Sequence, residues 1–316
     1  MDLTDFYYVP AGAEAAQASP NNPLYIPIRR TPFEDGVPQA AISKTSLAGN
    51  TDLYFRGYDM NEPDIYSFEE WKRDVEAYSA ENGALPNLMV VALPHDHFGR
   101  FDTALAGLDT PETQMADNDY ATGLMVDYLS HRPDWAETAI VILEDDAQNG
   151  PDHVDAHRSI AYIISPYTKR GGALISTRYT TVNVIRTMED LLGIDYIGTP
   201  DANAQSMSEN FTRTADLTPY EVIVPGDLCQ TPVDPDLVPA CQDASAPKTT
   251  AVASRHDGHW WSNATREFDF DGLDRLDAEA FNQVLWSGVK GEDVSYPTQR
   301  SGENLRRNRD SLLNQW

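Results

Sequence analysis

AIVILEDDAQNGPDHVDAHRSIAYIISPYTKRG, residues 139–171, decides how the rest of the chain reads. Two short apolar runs, 139–143 and 161–164, flank a loop made almost wholly of polar residues. Each run is too short for an independent helix and is bounded by turn-forming residues, so each reads as a buried strand. The stretch 144–159 between them packs five acids and two histidines into sixteen residues. Carboxylates and imidazoles gathered at the end of a strand are what a divalent cation requires.

Working outward, the same grammar repeats. Leu88–Leu93 reads as a strand running into the loop PHDHFGR, and a helix over 115–130 carries Tyr120, Ala121, Leu124, Met125, Tyr128 and Leu129 on one face. Thr180 caps a second helix bearing Val182, Ile185, Met188, Leu191 and Leu192, closed by Gly193. Upstream, SFEEWKRDVEAYSAENG predicts a helix opened by a Ser67–Glu70 capping box, with Phe68, Trp71, Val75 and Tyr78 aligned, and ended by Gly83. Strands alternating with helices make an α/β domain, whose ligands sit beyond the carboxyl ends of its strands. Both ligand-rich loops, 94–100 and 144–158, fall there.

Three regions follow from this pattern. Residues 1–85 form an irregular, loop-rich N-terminal segment. Residues 86–200 form the α/β core with its ligand loops. Residues 201–316 are an irregular extension, packed on the core, with one terminal helix over 277–287.

Charge bounds the partners. The chain of 316 residues carries a formal charge of −27, from 33 Asp and 17 Glu against 18 Arg and 5 Lys. Such a surface repels nucleic acid and anionic membranes, so neither is expected as a partner. An Asp-rich, Lys-poor balance fits either work in high salt, where counterions screen self-repulsion, or an ordinary acidic exported enzyme. No apolar run approaches the roughly 18 residues of a membrane span, and the first twenty residues do not read as a signal peptide. Cys229 and Cys241 close a short loop in a Pro-rich segment, bridged or free; with no second pair, they are not a zinc site.

The ligand-capable groups of the two loops are His95, Asp96 and His97 in the first and Asp145, Asp146, Asp152, His153, Asp155 and His157 in the second. A mixed carboxylate–imidazole set suits Zn²⁺, Mn²⁺ or iron, and carboxylates alone suit Mg²⁺ or Ca²⁺. A divalent ion there can hold phosphoryl oxygens, and Arg158 can clamp a phosphate through its planar fork. His131 reads as a helix-end cap. His256 and His259, flanking Asp257-Gly258, read as a structural turn.

These stretches resemble bacterial phosphoesterases of the alkaline-phosphatase superfamily, in the acid-phosphatase and phospholipase C-like branch that is often fused to a β-propeller. The resemblance is carried by LPHDHFG at 93–99, ADNDYATG at 116–123, the opening stretch at 139–171, YTTVNVIRTMEDLLGI at 179–194 and FNQVLWSGVKGEDVSYP at 281–297. It implies an α/β fold with a three-layer arrangement of a sheet between helices, and one or two divalent metals at the strand ends. The activity it implies is hydrolysis of phosphate esters through a Ser or Thr nucleophile. By the same resemblance Asp145 and Asp146 hold the metal, Asp96 and His97 complete or neighbour it, and His153 supplies an imidazole. His157 and Arg158 then protonate the leaving group and contact the phosphate. Relatives are commonly exported.

The chain departs from that pattern at one place. The family's Glu-Asn-[basic]-[Ser/Thr]-[aromatic]-Asp segment, which brings an acidic ligand and then the nucleophile, has no counterpart. The Glu-Asn pairs at 81–82, 209–210 and 303–304 follow no apolar strand, and Ser43, Thr45 and Ser46 lack the motif's context. The expectation is therefore an incomplete domain whose N-terminal strands are missing, leaving an unpaired sheet edge and apolar surface. The missing half could lie on another chain. The alternatives are a non-catalytic remnant that binds a metal or a partner, and a sulfatase or phosphonate hydrolase of the same superfamily.

Overall fold

The computed structural model describes residues 45–47, 49–52, 54–144, 160–270 and 276–298. Asp145, Asp146, His153, His157 and Arg158 lie outside the described residues, as do Asp152 and Asp155. The elements are α1 (Asp64–Asn82), α2 (Pro111–Ser130), β1 (Ile140–Leu143), β2 (Ala161–Ile164), α3 (Thr181–Leu192), α4 (Thr199–Ala202), α5 (Gly258–Thr265) and α6 (Ala278–Lys290). No helix among the described residues is long and apolar enough to cross a membrane.

The centre of the molecule is the packing of α1 on α2. Helix α1 begins at Asp64, three residues before the capping box the sequence suggests, and Ser67 is buried inside it. Pro63 presets the entry at φ −57°, and the cap comes from far along the chain. The Asp117 carboxylate accepts the backbone N–H of Asp64 at 2.5 Å and that of Ile65 at 3.2 Å. The helix ends at Gly83 in the left-handed conformation (φ 74°), its N–H donating to the Ser79 carbonyl at 2.8 Å. Helix α2 opens with Thr110, whose hydroxyl accepts the Thr113 N–H, and with a proline at its first position.

Phe68, Trp71 and Val75 of α1 meet Ala121 and Leu129 of α2, and Ile140 of β1 packs against them. On another face, Ile65 and Tyr66 join Ala116, Tyr120 and Leu108 with Val224, Leu228, Val233 and Val238. Cys229 and Cys241 lie against this second cluster and form a disulfide. Helix α1, which lies before residue 86, and the segment 224–241 thus share one core with α2. Near the C-terminal end of the described chain, Gly288 of α6 sits against the indoles of Trp260 and Trp261 on α5.

Among the described residues the sheet has two strands, antiparallel, with Ile140 opposite Ile164 and Leu143 opposite Ala161. Residues 88–93, expected as a strand, are irregular, and Leu88, Val90 and Val91 are exposed. A strand is defined by its ladder, and no ladder partner for this run exists among the described residues.

Helix α3 forms where the pattern predicts, with the Asn183 side-chain oxygen accepting the Thr180 backbone N–H at 2.7 Å and the Thr180 hydroxyl at 3.0 Å, and Gly193 ending it at φ 65°. Its expected apolar face is only partly covered, with Val182, Ile185, Met188 and Leu192 half-buried. Val184, Thr187 and Glu189 are buried, whereas Leu191 is 62% exposed. Ile160, Tyr162, Leu174, Ile194 and Ile197 are exposed as well.

Candidate metal centre

The loop after residue 93 is a single 3₁₀ turn, His95–His97, held down on α2 at two points. Gln114, fully buried, makes both amide bonds to Gly99: its Oε1 accepts the Gly99 N–H at 2.9 Å and its Nε2 donates to the Gly99 carbonyl at 2.7 Å. One helical turn on, Asp117 Oδ2 takes the His95 Nδ1–H at 2.7 Å. Gly99 has to be glycine, because at φ 150° a Cβ there would meet the Phe270 ring at 2.4 Å.

His95, Asp64 and Asp117 have no exposed surface, and one ligand atom from each lies within 4.8 Å of the others. Asp64 Oδ2 accepts the His95 backbone N–H at 3.1 Å and the Asn118 side-chain amide at 2.9 Å. Asn118 also donates to the Leu93 carbonyl at 3.1 Å, so the approach to the turn is tied to α2 as well. Two atoms of the cluster have no hydrogen-bond partner among the described residues: His95 Nε2 and Asp64 Oδ1.

The charges of this cluster are strongly coupled. Burial opposes a charge on His95, but the hydrogen bond and negative charge of Asp117, with Asp64 and the Met60 carbonyl adding, push its pKa up to about 9. Burial pushes the Asp64 carboxyl up to about 7, opposed by His95 and reinforced by Asp117. The cluster can therefore bind a proton between carboxylates or a cation in its place.

Asp96 and His97 point elsewhere. Asp96 is half-buried, and burial followed by the charge of Glu144 pushes its carboxyl up to about 6. Glu144 directly follows β1, so the first ligand loop lies close to where the chain enters residues 145–159. The His97 ring meets Tyr58 edge-on, with centroids 5.4 Å apart.

The remaining histidines among the described residues are accounted for locally. His131 closes α2 and pairs with Asp127 and Glu221, His256 stacks on Trp260 at 3.8 Å, and His259 lies beside the Asn263 amide.

Sequence reasoning selected Asp96 and His97 from this loop and passed over Asp64 and Asp117. A signal for both was present. Asp117 falls on the apolar stripe of α2 with Tyr120, Ala121 and Leu124, and Asp64 on that of α1 with Phe68, Trp71 and Val75. An acid at a core position of an amphipathic helix needs a buried partner.

No protein-family model, no curated protein and no solved structure matches the chain.

Proposed function

We propose that the chain is the metal-binding part of a phosphate-ester hydrolase of the alkaline-phosphatase type, with a sheet between helix layers as its complete fold. Asp145, Asp146 and Asp96 are its acidic ligands, with His97 and His153 completing or neighbouring the set. A divalent cation held there would supply charge neutralisation and a template for phosphoryl oxygens. His157 would protonate the leaving group, and Arg158 would hold the phosphate.

The observation that carries this reading is the closeness of Asp96 to Glu144. Burial first, and then the negative charge of Glu144 from the second loop, raise the Asp96 pKa to about 6. A cation removes that cost, and the next two residues after Glu144 are both aspartate.

The hydroxyl nucleophile would come from a further segment or chain. The exposed apolar residues Tyr162 on β2 and Leu191 and Ile197 in and after α3 support such a covering partner. The chain by itself is then a metal platform with little hydrolytic activity.

The test is metal content of the purified chain in high salt, compared with the Asp145→Asn/Asp146→Asn variant. The expected result is one tightly held divalent ion fewer in the variant. Equal content in both proteins overturns the reading. Assays with aryl phosphate mono- and diesters, sulfates and phosphonates then separate the phosphoesterase from its superfamily alternatives.

A further inference from the structure

We infer that Asp64 and His95 hold a second divalent cation, buried where α1, the 95–97 turn and α2 meet, with Asp117 positioning the imidazole. This site does not depend on the ligand set of the preceding subsection.

Three observations carry it. The first is orientation. Asp117 fixes Nδ1 of His95 as the protonated nitrogen, so the lone pair of a neutral ring lies on Nε2. Metal-binding histidines are held in this way, one ring nitrogen bonded to a carboxylate and the other facing the ion. The second is the pair of atoms left over. His95 Nε2 and Asp64 Oδ1, both on side chains with no exposed surface, have no hydrogen-bond partner among the described residues. Buried polar atoms are nearly always satisfied, and one ligand atom from each of Asp64, His95 and Asp117 lies within 4.8 Å of the others, close enough for one cation to be shared. The third is charge. When both are ionised, Asp64 and Asp117 carry two negative charges, which an imidazolium offsets by one and a divalent ion with neutral His95 offsets in full.

The donor set is mixed, one imidazole nitrogen with carboxylate oxygen. That set suits Zn²⁺, Mn²⁺ or Co²⁺ better than Ca²⁺ or Mg²⁺. Because three segments converge on it, an ion there would pin α1, the turn and α2 together. It would also fix the base from which Asp96 and His97 project. Its role is therefore structural, and no substrate reaches it.

The experiment uses the full chain carrying Asp145→Asn/Asp146→Asn and also His97→Asn, His153→Asn and His157→Asn, which leave the buried cluster untouched. This protein is loaded with Co²⁺, freed of excess metal, and examined by elemental analysis and by proton NMR in water. The expected result is one Co²⁺ per chain with a hyperfine-shifted, slowly exchanging imidazole N–H, the Nδ1 proton that Asp117 holds. Adding Asp64→Asn should lower retained metal at least tenfold in a protein with unchanged far-ultraviolet circular dichroism. No retained ion, or an ion without the imidazole N–H signal, overturns the inference. Failure of the hydrolase reading is separately visible. There the wild type and the Asp145→Asn/Asp146→Asn variant would hold the same number of ions, and the buried one would remain.

Discussion

The carboxylate of Asp117 lies 2.7 Å from Nδ1 of His95 and at the same time caps α1 through the N–H groups of Asp64 and Ile65. One side chain on α2 therefore fixes both the start of α1 and the tautomer of the buried imidazole. Asp117→Asn retains an acceptor for the helix but removes the charge beside His95. Breaking a buried ion pair costs about 3–5 kcal/mol, so the variant should unfold at much lower denaturant concentration. A loss below about 1 kcal/mol would show that the pair is not a determinant of the fold. Denaturant titration at pH 7 measures it.

Asp52 offers a pH-dependent test away from the ligand loops. Burial, with Glu70 and Asp74 adding, pushes its carboxyl from 3.8 up to about 7. A raised acid binds its proton more tightly in the folded state than in the unfolded one. Its contribution to stability is thus greatest at low pH and is lost as pH rises from about 4 to about 7. Asp52→Asn keeps an oxygen for the Tyr54 N–H, which Asp52 Oδ1 accepts at 2.8 Å. The variant should match the wild type near pH 4 and exceed it by on the order of 1 kcal/mol or more at pH 8. Melting curves at the two pH values decide it.

Reduction of the Cys229–Cys241 bridge should loosen the 224–241 segment from the core. The cysteines are 12 positions apart, and closing a loop of this size restricts the unfolded chain by about 3 kcal/mol. The Cys229→Ser/Cys241→Ser variant should therefore melt well below the oxidised protein, and a reductant should lower the wild type to the same value without affecting the variant.

Gly288→Ala tests the α5–α6 contact. An added Cβ would lie 2.2 Å from Trp261 Cη2 and 2.9 Å from Trp260 Cζ3. Overpacking of this kind costs about 1–3 kcal/mol, against the gain in helix propensity that alanine gives on an exposed helix. A destabilised variant with shifted indole fluorescence is the expected outcome.

The charge of −27 predicts a protein that hardens with salt. Raising ionic strength from 0.1 M to 1 M shortens the screening length from about 10 Å to about 3 Å, which weakens repulsion between exposed carboxylates. The melting temperature should climb over that range with NaCl as well as with sulfate. A response to sulfate alone would point to solvent exclusion instead of charge.

Local signals were readable where local physics suffices. Gly83 and Gly193 end α1 and α3 as the pattern predicts, because a left-handed C-cap depends only on its own residue. Thr180 with Asn183, and the strand at 161–164, follow for similar reasons. The start of α1 was misread because its cap, Asp117, is 53 residues away from Asp64. The run 88–93 has the composition of a strand, but composition supplies no ladder partner.

The candidate site divides along the same line. The sequence by itself determined the acidic surface, the density of carboxylates and imidazoles in two loops, and the helical faces that build the α1–α2 core. These are properties of residue identity and short spacing. Only the tertiary structure decided that His95, and not its neighbours Asp96 and His97, enters the interior, and that Asp64 and Asp117 meet it there. A 3₁₀ turn points successive side chains in different directions. Which of them is buried depends on how Gln114 and Asp117 hold the turn against α2, and on a helix start that the same aspartate secures.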